Sequence, residues 1–165
     1  MHYPLKLAFV ILAVASLCAC GPSQRTLPPS KNQSTVTQYD IERDPARDVE
    51  AAVAEATQTN KRILLDVGGD WCKWCVYLDR FFADNPELYQ YREEKFIWVK
   101  VNRSEENPND DFLACYPDFD GVPHFFVLES DGTLLHSQDT APLESGADSY
   151  SLEAMKSFLE EWAKK

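Results

Sequence analysis

Five consecutive residues, Trp71-Cys72-Lys73-Trp74-Cys75, constrain this chain more than any other feature. They set a pair of thiols at CxxC spacing directly after the apolar run Ile63, Leu64, Leu65, Asp66, Val67, which reads as a buried strand. Gly68-Gly69-Asp70 breaks that strand, so the cysteines begin the helix that follows, Cys72 at its N-terminus and Cys75 one turn further in. Unpaired backbone N–H groups and the helix dipole stabilise an anion at the first position, and only a thiolate attacks a disulfide. The spacing therefore predicts Cys72 as nucleophile and Cys75 as resolving thiol.

The same motif also fits half of a zinc site or two ordinary buried cysteines. A tetrahedral zinc site takes four ligands, and past the first 20 residues the chain adds only Cys115, His124 and His136 to this pair. Those three contain no second closely spaced ligand pair. Haem attachment fails as well, because Val76 stands where a CxxCH motif needs histidine. No metal and no cofactor is expected beyond the Cys72–Cys75 pair itself.

Four features in order resemble the thioredoxin superfamily. Asp66 precedes Cys72 at the position where thioredoxin keeps an aspartate beneath its resolving cysteine. Val99-Lys100-Val101-Asn102 resembles the next parallel strand, with Lys100 matching the lysine that accompanies that aspartate. Gly121-Val122-Pro123, an apolar strand and Asp131-Gly132 resemble the cis-proline segment and the hairpin beyond it. The likeness spans roughly Arg62 to Ser137. Lys-Trp between the cysteines replaces thioredoxin's Gly-Pro, and the Trp-Cys-x-Trp-Cys form is most similar to bacterial proteins related to the C-terminal domain of the electron carrier DsbD. The dipeptide between the thiols strongly affects thiolate stability, so this departure bears on potential and partner choice.

The N-terminus indicates a compartment. Lys6 is followed by the apolar run Leu7 to Leu17, too short to span a bilayer, and then by small residues. Residues 1–19 read as an export signal. Leu17-Cys18-Ala19-Cys20 resembles a bacterial lipobox, which implies cleavage before Cys20 and acylation of that cysteine; the alternative is ordinary cleavage that leaves Cys20 as a thiol. Gly21 in place of aspartate resembles lipoproteins sorted to the outer membrane. The expected location is the bacterial cell envelope, facing the periplasm.

The chain has 16 basic and 27 acidic residues, and the signal removes one lysine and no acid. A surface this acidic argues against nucleic acid and anionic lipid as partners, so membrane attachment must come from acyl chains at Cys20. Too few cysteines remain for a disulfide scaffold, and stability must come from an apolar core. Residues 20–38, rich in Pro, Ser, Thr, Asn and Gln, read as anchor and flexible tether. One domain, expected to be a monomer, then fills residues 39–165.

Within it, Asp44-Pro45 signals a helix start, with Val49, Ala52, Val53 and Ala56 at helical spacing. Asn85-Pro86 opens a second segment to about Glu94, leading into strand Phe96 to Val101. A short helix from Asp110 carries Phe112, Leu113 and Cys115. Strand Phe125 to Leu128, turn Ser130-Asp131-Gly132 and strand Thr133 to His136 form a hairpin. Leu152, Met155, Leu159 and Trp162 line a face of a final helix. The order predicts an α/β fold, a thioredoxin-like three-layer sandwich with a mixed central sheet flanked by helices.

Each remaining candidate carries two readings. Asp66 is a residue at a strand end, or a buried base that takes the proton of Cys75. Lys100 is a solvated strand residue, or the partner of Asp66. Trp71 and Trp74 are core, or an apolar platform for a partner. The resemblance implies that Val122, before a cis Pro123, pairs its backbone with a substrate strand beside Cys72. His124 reads as strand filler, and Cys115 as a buried small hydrophobe.

The expected activity is thiol-disulfide exchange on disulfide-containing envelope proteins. A DsbD-like membrane carrier is the electron donor that the resemblance implies. The alternatives are a disulfide oxidase or isomerase, and a non-catalytic binding module of the same fold.

Overall fold

The computed structural model describes residues 37–164. The export signal expected at residues 1–19, the acylation expected at Cys20 and the expected tether as far as residue 36 lie outside the described residues.

Helix α1 (Pro45–Thr59) starts where the sequence signals it: Asp44 accepts from the N–H groups of Ala46 and Arg47, and proline occupies the first turn. It stops at Asn60, whose φ of 56° is the left-handed conformation that ends helices. Strand β1 (Arg62–Gly68) follows, then α2 (Lys73–Asp84), α3 (Pro86–Lys95) and β2 (Phe96–Asn102). A single helical turn, α4 (Asp110–Leu113), precedes β3 (His124–Leu128) and β4 (Leu134–Asp139). Gly132 makes the turn between these last two at φ 88°, where a side chain would be strained. A 3-10 turn, a small hairpin of β5 (Glu144–Ser145) and β6 (Ser149–Tyr150), and α5 (Leu152–Trp162) complete the domain.

The sheet order is β2-β1-β3-β4. β1 and β2 are parallel, joined by the two-helix crossover, whereas β3 is antiparallel to both β1 and β4. This is the mixed sheet flanked by helices expected from the sequence.

Because successive side chains of a strand face opposite ways, β1 divides its contacts between two cores. Ile63, Leu65 and Val67 pack with Ala52 and Ala56 of α1, and with Val99 and Phe126 of the neighbouring strands. Leu64 packs on the other face with Leu78, Trp98, Phe125, Met155 and Leu159. A strand buried on both faces has to be apolar throughout, which explains the run at 63–67. Asp66 is its exception. Each fully buried Leu, Ile or Phe contributes about 1.5–3 kcal/mol, so the two cores carry most of the stability.

Three details differ from expectation. The last long strand runs Leu134–Asp139 instead of ending at His136. In α5, Leu152 is 51% exposed, and Phe158 takes an inward place beside Met155 and Leu159; Leu152 lies in the first turn, outside the stretch that packs on the sheet. Cys115 is exposed. The α4 helix has only one turn, and Phe112, Leu113 and Tyr116 are the residues it turns toward the core, which leaves position 115 on the outside.

Candidate functional site

Strand β1 delivers the cysteines to the carboxyl edge of the sheet. The Gly68 carbonyl accepts from Arg103 N–H at 2.6 Å, tying the end of β1 to the end of β2. The chain then turns, with Cys72 N–H donating to the Gly69 carbonyl at 3.0 Å. Cys72 is the N-cap of α2: its backbone is extended and its sulfur accepts the Cys75 N–H at 3.1 Å. Cap sulfur and helix dipole therefore act together on Cys72, the arrangement that favours a thiolate. Cys72 and Cys75 form a disulfide with a Cα–Cα distance of 5.2 Å. Cys72 retains 4% exposure and Cys75 1%, so the site meets solvent through a small window on the Cys72 side.

That window has an asymmetric frame. Trp71 is 65% exposed, and its Nε1–H donates to the Arg103 carbonyl at 2.9 Å, which lays the indole over Gly69. Opposite, the Val122–Pro123 peptide bond is cis, and the Val122 carbonyl oxygen lies 3.5 Å from Cys72 Sγ. Thr140 Oγ1 donates to the Pro123 carbonyl at 2.6 Å from a buried position, fixing the segment from behind. A groove of about 700 Å³ runs between Trp71, Arg103, Pro108, Asp120 and Val122. Trp74 does not share this surface. It is half-buried in the first turn of α2, edge-on to Tyr77 and Tyr150, and it packs against the cluster of Tyr39, Cys72 and Cys75 rather than lining the groove.

Two residues before Gly68 on β1, and so on the same face of the strand, lies Asp66, fully buried. Its Oδ1 accepts from the Tyr39 hydroxyl at 2.7 Å, and its Oδ2 has no hydrogen-bond partner among the described residues. Burial disfavours the charged form and pushes the Asp66 carboxyl up to about 6, with Lys100 and the Tyr39 hydrogen bond restraining the rise and Asp79 adding to it. Such a carboxyl can hold or release a proton near neutral pH.

Lys100 stands opposite Asp66 in the β1–β2 register, but the ion pair expected between them is not formed. The ammonium bonds Asp79 of α2 instead, Nζ to Oδ1 at 2.5 Å and to Oδ2 at 2.6 Å, while resting 4.2 Å from the centre of the Tyr39 ring. Asp79 sits at the rim with its side chain 54% exposed, so the lysine reaches a carboxylate that water also solvates. Pairing there gives the buried ammonium a carboxylate that keeps much of its hydration, which costs less than burying both members of a pair.

Sequence reasoning missed three residues. Tyr39 gave no signal beyond being an aromatic after a polar stretch. Asp79 follows Cys75 by one helical turn and shares its face of α2, a spacing that could have marked it. Gly68 fits only because it lacks a side chain: a Cβ there would come within 2.6 Å of Cys75 Sγ and 2.7 Å of Tyr39 Oη. His124 is buried and bonds Ser137 Oγ through Nε2 at 2.8 Å, a position within the sheet rather than at the sulfurs.

The model of the thioredoxin-like family matches residues 44–130, more than half of the chain. The chain belongs to the thioredoxin-like family. Its fold is similar to that of a disulphide isomerase from Xylella fastidiosa Temecula1, at TM-score 0.63 and 25% identity over 74% of this chain and 94% of that one. It is also similar to the oxidised C-terminal domain of Neisseria meningitidis DsbD, at TM-score 0.52 and 21% identity over 76% and 97% of the two chains. Among curated proteins, mouse spermatogenesis-associated protein 20 is 32% identical over 117 residues, 63% of this chain and 15% of its own length. The human protein of that name is 38% identical over 60 residues, 36% of this chain and 8% of its own. The chain thus spans a small fraction of the curated relatives it matches. Family membership and the helix-start disulfide together support a protein-disulfide oxidoreductase.

Proposed function

We propose that the chain catalyses thiol-disulfide exchange on proteins of the bacterial cell envelope, working chiefly as a reductase. In the dithiol form, the Cys72 thiolate attacks a partner disulfide and a mixed disulfide forms. Cys75 then attacks Cys72, releasing the reduced partner and leaving Cys72–Cys75 oxidised. Asp66 takes the Cys75 proton as that bond forms. A partner segment lies in the groove against Trp71, with its backbone along Val122, and a membrane electron carrier akin to DsbD returns the site to the dithiol. The acyl group at Cys20 holds the domain at the membrane.

The observation that carries this reading is the placement of Cys72. It is at once the N-cap of α2, 3.5 Å from the Val122 carbonyl through its sulfur, and next in sequence to the exposed Trp71. A pure binding module needs none of these. Likeness to a disulphide isomerase favours a second reading, exchange without net reduction.

Insulin reduction by dithiothreitol separates the classes: acceleration supports the oxidoreductase, and an unchanged rate leaves a binding module. The Cys72–Cys75 potential then sets direction. A value near about −270 mV, as in thioredoxin, supports the reductase, and one near about −120 mV, as in DsbA, overturns it in favour of an oxidase.

A further inference from the structure

Tyr39 belongs to no helix or strand, yet it is 6% exposed between the exposed residues Gln38 and Asp40. A polar segment brings one ring inside only where contacts repay its ordering. Three do so here. The hydroxyl donates to Asp66 Oδ1 at 2.7 Å, the Lys100 ammonium lies 4.2 Å from the ring centre, and the ring packs in one cluster with Cys72 and Cys75. At Gly68, the space a Cβ would take is bounded by Cys75 Sγ at 2.6 Å and Tyr39 Oη at 2.7 Å. The tyrosine hydroxyl and the resolving sulfur therefore close on the same space beside Gly68.

We propose that Tyr39 is a positioning residue for the resolving step: its hydroxyl holds Asp66 by one carboxylate oxygen and leaves the other, Oδ2, as the acceptor of the Cys75 proton. This rests on Asp66 serving as the base. In the step, the Cys75 S–H bond breaks and its proton passes to Oδ2. The sulfur's electron pair makes the Cys72–Cys75 bond, and the partner leaves as a thiolate with the pair of the broken mixed disulfide.

A hydroxyl donor stabilises the charged carboxylate, so Tyr39 keeps Asp66 ionised, and thus able to accept, at a lower pH than burial alone would allow. The other groups acting on Asp66 come from three elements. Lys100 on β2 and Arg92 on α3 favour the carboxylate, and Asp79 on α2 opposes it. Tyr150 on β6 acts on Tyr39 itself. None of them donates a hydrogen bond to Asp66, which makes the Tyr39 contact the one that also fixes its orientation.

The test uses the full chain in the dithiol form mixed with oxidised glutathione, following release of the second glutathione from pH 5 to 9. Tyr39→Phe keeps the ring over Lys100 and removes only the hydroxyl. A hydrogen bond to a charged group favours that form by roughly tenfold or more, so the midpoint of the resolving limb should rise by about one unit. Release should slow roughly fivefold at pH 6 and less than twofold at pH 8. In an Asp66→Asn background, Tyr39→Phe should not move the profile further. A carboxyl carbon titration of Asp66 by NMR in the oxidised protein should show the same rise without any turnover.

If Asp66→Asn slows release but Tyr39→Phe leaves both profile and titration in place, the Tyr39 role is overturned and Asp66 stands. If Asp66→Asn leaves release unchanged, Asp66 is not the base and both fall. Lower thermal stability of Tyr39→Phe with an unmoved profile counts as the first of these outcomes, a structural tyrosine only.

Discussion

Lys100 faces Asp66 across the β1–β2 ladder, but its ammonium bonds Asp79, 2.5 Å from Oδ1, and leaves the buried carboxylate to a tyrosine. One strand register thus supplies the base with a nearby positive charge that it does not hold as an ion pair. Removing Asp79 should change this. In Asp79→Asn, a charge that raises the Asp66 pKa disappears, and Lys100 becomes free to turn toward Asp66. Both effects favour the carboxylate. Asp66 should therefore titrate below about 6, by at least half a unit, in NMR of the oxidised variant. An upward shift would mean that Lys100 is held in place by something other than Asp79.

Asp66 itself should weaken the fold at neutral pH. Its carboxyl is raised from 3.8 to about 6 in the folded protein, so the folded state binds protons more tightly than the unfolded chain between those values. Stability must then fall as pH rises through that window and stay lower above it. Asp66→Asn, which can still accept from Tyr39, should be more stable than the parent above pH 6, on the order of 3 kcal/mol for the unit difference involved. Below pH 4 the advantage should vanish. Urea unfolding of the oxidised proteins at pH 4 and pH 7.5 measures this, and an equal difference at both pH values contradicts the assignment.

Gly68→Ala should act on the site and the fold together. The new methyl would meet Cys75 Sγ and Tyr39 Oη at distances that real Cβ atoms do not show, so one of them has to move. Overpacking of this kind costs about 1–3 kcal/mol. If Tyr39 is the group displaced, its aromatic signal should become exposed, readable as faster tyrosine nitration at position 39. Wild-type stability with unchanged nitration would show that the backbone at Gly68 yields more easily than the close contacts suggest.

What the sequence revealed of this site, and what it hid, follows the range of each interaction. The strand, the glycine break and the helix start around Cys72 are local, and local patterns determine them: apolar residues at 63–67, Gly68-Gly69, and a cap three residues before the N–H that donates to it. Val122 and Pro123 were legible through their resemblance to a known segment, not through their own propensities. Pattern places Lys100 on its strand, yet neither the solvated reading nor the pairing with Asp66 matches its buried bond to Asp79, because register specifies neighbours whereas a long side chain chooses among all acceptors within its reach. Tyr39 could not be found from pattern at all. It meets Asp66 across 27 residues of sequence, from a segment with no periodicity of its own. Cys115 failed for the opposite reason: a preference for burial was applied to a helix that has one turn and no inward place left.

Trp71 should matter to partner binding and little to the chemistry. Its indole is largely exposed, is fixed by a hydrogen bond to the Arg103 carbonyl, and borders the groove that leads to Val122. Truncation to alanine removes an apolar contact surface of the kind that dominates docking, whereas Cys72 keeps its cap and dipole. For a protein substrate, Trp71→Ala should raise KM about tenfold or more with kcat changed less than threefold. Oxidised glutathione, too small to reach across the groove, should react at the parent rate. Trp74→Ala should behave differently, losing stability through its contacts with Tyr77 and Tyr150.

The two sulfurs should divide the work unequally, although both are nearly buried in the oxidised form. Cys72 lies at the window, receives the Cys75 N–H and sits at the helix start; Cys75 lies one turn in, against Gly68 and Tyr39, with 1% exposure. Attack on an incoming disulfide needs a line of approach as well as a thiolate, and only Cys72 has both. In Cys75→Ser, Cys72 can still form mixed disulfides but nothing resolves them, so covalent complexes with disulfide-containing proteins should accumulate. In Cys72→Ser, the remaining sulfur is enclosed and such complexes should be nearly absent. Non-reducing gels of each variant after incubation with an oxidised protein substrate make the comparison. Equal trapping by both would show that the partner reaches Cys75 directly, and that the helix-start sulfur is not the nucleophile.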